Sequence, residues 1–167
     1  THEMGLQFLI ARQASLRLDQ IESTETIDEI FEGVSSKRNQ LLLDLGSEFS
    51  VGAIDAAHEK PLSELFQVLK ERSPSWNMGP YITVSIEESS KTIFGRSNMN
   101  RSEINNLLIQ DFGLPAGILS ISWLLLALEA RDGKSIRGGH LGSLSGVPTD
   151  KKSVGSYLDQ WMAIVST

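Results

Sequence analysis

The chain contains no cysteine. Disulfides, thiolate metal sites and cysteine nucleophiles are therefore excluded, and a reducing, cytoplasmic setting is expected. Positive charge is also scarce: 15 Lys and Arg stand against 21 Asp and Glu, for a formal net charge of −6. A field of that sign repels phosphate backbones, so no nucleic-acid partner is expected and partners with basic faces are favoured. Long apolar runs are missing too. The most apolar segment, Ile118 to Leu128, is interrupted by Ser120 and Ser122 and is too short to span a bilayer, so no membrane association is expected. The start, Thr1-His2-Glu3-Met4, has no basic region followed by an apolar stretch. No secretory signal is expected, and the chain reads as a domain excised from a longer polypeptide.

What is present is helical periodicity. A length of 167 residues, 40% hydrophobic and 22% charged, suits one domain, or a domain with a helical extension. Leu6, Leu9, Ile10 and Gln13 mark a first helix whose face continues weakly to Leu16. Ile27, Ile30, Phe31 and Val34 follow at i, i+3, i+4, i+7, with Thr26 and Glu29 placed as a capping box and Gly33 as a left-handed stop. Leu41, Leu42, Leu45 and Phe49 line the next helix, which Ser35 or Ser36 begins, and Leu62, Leu65, Phe66 and Leu69 follow Pro61. These four segments predict a compact bundle.

From about residue 77 a second layer is expected. Asn100 and Glu103 cap a helix bearing Ile104, Leu107, Leu108 and Phe112; an apolar helix runs from Ala116 towards Arg131; and Thr149 or Asp150 caps a last helix with Val154, Tyr157, Leu158 and Trp161 on one face. Tyr81 to Glu87 alternates Ile82, Val84 and Ile86 against Thr83 and Ser85, a strand signal by period. A lone strand would lack a partner, so helix is expected there.

The position that carries function is Ser35, within Gly33-Val34-Ser35-Ser36-Lys37-Arg38-Asn39-Gln40. A glycine stops one helix and a hydroxyl opens the next, so the serine falls where unpaired N–H groups and the positive end of the macrodipole favour an attached phosphate. Taken alone, a serine in this setting is ordinarily an N-cap.

The stretches Thr26 to Phe49, Pro61 to Leu69, Asp111 to Gly117, Leu124 to Ala130 and Ser153 to Val165 resemble the acyl carrier protein domain of type I fatty acid synthases, the giant multienzymes of fungi, mycobacteria and corynebacteria. The wording around Ser35 is closer to the actinobacterial form. Free-standing carriers usually show Asp-Ser-Leu at the attachment point, whereas Val34 and Ser36 flank the serine here. The resemblance implies an all-α fold: a four-helix acyl-carrier core over residues 1–75 and a helical structural subdomain over 76–167, packed on the core. It implies a non-catalytic carrier whose Ser35 receives 4'-phosphopantetheine from coenzyme A by way of a phosphopantetheinyl transferase. Gly33, Val34, Ser36, Lys37 and Arg38 would contact the arm or partners. The partners implied are the acyl and malonyl transferase, ketosynthase, ketoreductase, dehydratase and enoyl reductase domains, with acyl chains as cargo.

Phe31, Leu42 and Leu45 are expected to be core, and also to border a groove for the growing acyl chain. Asp19, Glu22, Glu25, Asp28, Glu29 and Glu32 read as a solvated acidic face that would also aid transient docking. His2, His58 and His140 show no metal-ligand spacing, so no metal site is expected. Arg137-Gly138-Gly139-His140 lacks the context of a phosphate loop and reads as a connector. Two alternatives stay open. One is a serine hydrolase or transferase using Ser35, His58 and Asp44, for which the second glycine of a nucleophile elbow is missing; the other is a helical scaffold module without a prosthetic group.

Overall fold

A computed structural model describes residues 1–167 as an all-α protein of eight α-helices without strands. In chain order they are α1 (His2–Ala14), α2 (Ile27–Ile30), α3 (Ser35–Phe49), α4 (Leu62–Arg72), α5 (Pro80–Phe94), α6 (Arg101–Gln110), α7 (Leu119–Glu129) and α8 (Lys151–Val165). None is long and apolar enough to cross a membrane. The chain divides into two compact units: residues 1–83 with 134–141, and residues 84–133 with 142–167. This division differs from the expected boundary after residue 75. It falls inside α5, and the loop 134–141 belongs to the first unit.

In the first unit α1 packs on α3 and α4. Leu6, Leu9, Ile10, Leu41, Leu45, Phe49, Leu62, Leu65 and Leu69 are all buried, which is the i, i+3, i+4 pattern turned inward. The first helix stops at Ala14 because Ser15 turns left-handed, φ 54°, so Leu16 packs from the loop rather than from the helix. α2 is shorter than its apolar spacing predicts, a single turn. Glu32 and Gly33 both take positive φ, 51° and 75°, which ends the helix before Val34 can join it. Thr26 Oγ1 accepts the Glu29 N–H at 3.1 Å, the forward half of the expected capping box.

The loop 134–141 is more than a connector. Arg137 donates to both carboxylate oxygens of Glu25 and to the Gln20 carbonyl, while Arg17 reaches the carbonyls of Gly138 and His140. Arg137 hydrogen bonding therefore holds the Glu25 carboxyl below the usual carboxylate range, and Glu25 in turn raises Arg137. Glu25 departs from the expected solvated acidic face for this reason.

In the second unit Asn100 and Glu103 form the expected reciprocal capping box, as do Asp150 and Ser153 at α8. Phe94, Trp123, Tyr157 and Trp161 gather edge to face, with Trp123 and Trp161 centroids 5.0 Å apart. The indole N–H groups are satisfied by Asn105 Oδ1 and the Ser122 carbonyl. Tyr81 to Glu87 is helical, as expected despite its alternation: Ile82 and Ile86 share the buried face four residues apart, and Val84 is 54% exposed.

Candidate site at the N-terminus of helix α3

Ser35 owes its position to the stop before it. The Gly33 N–H returns to the Asp28 carbonyl at 3.1 Å and the Val34 N–H to the Phe31 carbonyl at 3.0 Å, closing α2 and re-aiming the chain into α3. A Cβ at residue 33 would meet no atom, so the positive φ alone asks for glycine there.

Val34, not a serine, occupies the N-cap of α3, and it has no side-chain cap. Ser35 is the first helical residue, exposed, and its hydroxyl makes no hydrogen bond within the chain. The ordinary reading of this serine as a helix cap does not apply. The first intrahelical bond runs from the Arg38 N–H to the Val34 carbonyl at 3.1 Å. The N–H groups of Ser35, Ser36 and Lys37 thus stay free to meet an anion at the positive end of a 15-residue helix.

Gly33, Val34, Ser36 and Lys37 are all exposed around Ser35. Arg38 is half-buried: its Nη1 lies 3.3 Å from Asp28 Oδ1, one turn beyond Ser35. Asp28, expected on a solvated face, is instead held between Arg38 and the imidazole of His58, whose Nε2 lies 3.8 Å from Asp28 Oδ2 and 3.6 Å from Glu59 Oε1.

An apolar groove of about 540 Å³ opens along α3, walled by Leu42, Leu43, Leu45, Val51, Ile54 and Ala57, with Asn39 also in its lining. Leu42 and Leu45 stand where a groove was expected. Phe31 does not line it; its side chain is buried at 6% exposure. Leu43, absent from the sequence-based assignment, is 70% exposed beside the groove. With Asn39, Leu42 and Gly46 it makes a second i, i+3, i+4, i+7 face on α3, away from the core stripe of Leu41 and Leu45. Asn39 follows Ser35 by four residues, so the groove begins on the helix face that Ser35 starts, about 6 Å further along the axis.

The triad alternative finds no assembled network. Asp44 accepts from Gln13 Nε2 at 2.6 Å and Gln40 Nε2 at 3.2 Å, His58 faces Asp28 and Glu59, and no hydrogen bond links Ser35, His58 and Asp44. No protein-family model and no curated protein matches the chain.

Proposed function

We propose that this chain is a carrier domain of a type I fatty acid synthase, working in the cytoplasm, which holds acyl intermediates as thioesters on a 4'-phosphopantetheine arm attached to Ser35. The observation that carries the proposal is the Ser35 hydroxyl: exposed, unbonded and set at the first residue of a helix whose leading N–H groups have no acceptor in the chain. An exposed hydroxyl that caps nothing supports its use as an attachment point. A phosphodiester formed on it would face those N–H groups and the helix dipole.

Lys37, exposed two residues after Ser35, adds positive charge near the phosphate in a chain that is acidic overall, while Arg38 is engaged by Asp28. The adjacent groove suits an alkyl chain, which gains roughly 0.8 kcal/mol per methylene withdrawn from water. Tethering makes each encounter with a synthase active site effectively intramolecular, so the domain itself need catalyse nothing. One experiment separates this reading from a helical scaffold module without a prosthetic group. Incubation with coenzyme A and a phosphopantetheinyl transferase is expected to add one phosphopantetheine mass to the intact chain and none to the Ser35→Ala variant. An unchanged mass, or a gain that survives Ser35→Ala, overturns the proposal.

A further inference from the structure

We propose that Asp28 Oδ2, His58 Nε2 and Glu59 Oε1 form a three-ligand site for a divalent transition-metal ion of the Zn2+ class. The three donor atoms lie within 4.8 Å of one another. The imidazole nitrogen is 3.8 Å from one carboxylate oxygen and 3.6 Å from the other. Both separations are too long for a hydrogen bond. Both are close to the edge of a tetrahedron with metal-ligand bonds of about 2.0–2.2 Å, which is roughly 3.3–3.6 Å. Closure around an ion, with the Asp28 and Glu59 oxygens drawing in from a separation of up to 4.8 Å, would make all three atoms ligands and leave the fourth position for water.

The donor set indicates the ion. Two carboxylates alone would suit Mg2+ or Ca2+, but an imidazole at the centre of the group favours a borderline metal. Two acidic side chains face the single Arg38 guanidinium there. Arg38 also has a positioning role: its Nη1 engages Asp28 Oδ1 at 3.3 Å, the oxygen the ion would not use, and leaves Oδ2 towards His58. Asp28 is half-buried on α2, while His58 and Glu59 belong to the 3-10 turn Ala57–Glu59. An ion here would cross-link that turn to α2, seven residues before Ser35, and so hold Ala57 in the wall of the apolar groove. Histidine spacing along the chain hides the set, because its members come from positions 28, 58 and 59 and meet only in the fold.

The site does not depend on the carrier reading and is tested separately, with Zn2+ titrated calorimetrically into the full chain and Co2+ absorption as a coordination readout. The expected result is one equivalent of Zn2+ bound, a raised thermal midpoint, and Co2+ bands of low coordination number. His58→Ala and Glu59→Gln should each weaken binding about tenfold or more. Glu59 is exposed, so the second variant keeps the fold and the test stands even if the first does not; far-UV circular dichroism verifies both. No Zn2+ binding at millimolar concentration, affinity unchanged in Glu59→Gln and His58→Ala, or binding abolished by His2→Ala or His140→Ala instead, would each overturn the proposal.

Discussion

Glu48 Oε1 accepts the backbone N–H of Ile82 at 2.7 Å, across 34 positions of sequence. The same carboxylate receives the Gly79 N–H and, at 2.9 Å, the indole N–H of Trp76. A buried acid at the end of α3 thus caps the first turn of α5, where Pro80 at the first helical position has no N–H to offer. Glu48 is 1% exposed, and its carboxyl oxygens accept three N–H donors at the start of α5. Gly79 is required by the approach, since a Cβ there would collide with the Glu48 carbonyl.

Removing that carboxylate is expected to be costly. Glu48→Ala strands three donors, each worth roughly 1–3 kcal/mol when left unsatisfied, for a loss of about 3 kcal/mol or more. Glu48→Gln keeps an acceptor oxygen and should lose less. Urea unfolding measures both, and a loss below about 1 kcal/mol in Glu48→Ala would mean the cap contributes little to stability.

Ser35→Ala should be nearly silent in the same assay, within about 0.5 kcal/mol, because the hydroxyl has no partner to lose. A loss near 1 kcal/mol would restore the helix-cap interpretation.

The groove makes a prediction about cargo. With acyl chains of increasing length on the arm, methyl resonances of Leu42, Leu43 and Leu45 should shift with chain length while the ring of Phe31 stays nearly constant. Identical spectra for short and long acyl forms would exclude the groove as a resting place.

Glu25 and Arg137 set an acid dependence. The Glu25 carboxyl is lowered from its ordinary value of 4.5, so its contribution is present above that pH and is lost as pH falls through the depressed folded value. Arg137 is shifted upward and stays charged throughout. Glu25→Gln should therefore cost about 1 kcal/mol or less at neutral pH, the pair being partly solvated, and the gap to the unmodified chain should close in acid. Chemical denaturation at pH 7 and pH 3 checks this, and a pH-independent gap would refute it.

Tyr157 gives the alkaline counterpart. Burial pushes its hydroxyl up to about 12 from 10.0, and the oxygen has no hydrogen-bond partner. The folded chain keeps the proton longer than the unfolded one, so stability should fall as pH rises from about 10 towards 12. Tyr157→Phe should abolish that slope and be neutral or stabilising near pH 7, because it deletes a buried unsatisfied hydroxyl. Destabilisation of 2 kcal/mol or more, by order of magnitude the cost of a lost buried bond, would reveal a partner for it.

Local chemistry was legible from the sequence alone. Apolar spacing located the helices, Gly33 marked the turn before Ser35, and Asn100 with Glu103 announced their own cap, because each depends on residues within a turn of one another. Helix α5 was harder: its alternation imitates a strand, and helix was expected only because a lone strand would lack a partner, which the burial of Ile82 and Ile86 with Val84 outside bears out. Tertiary structure alone decided that Glu48 caps α5, that Glu25 clasps Arg137, that Asp28 faces His58 and Glu59, and that Leu43 rather than Phe31 borders the groove. Those relationships join residues far apart in the chain, and a pattern that repeats every 3.6 residues carries no information about which distant group will meet a given side chain.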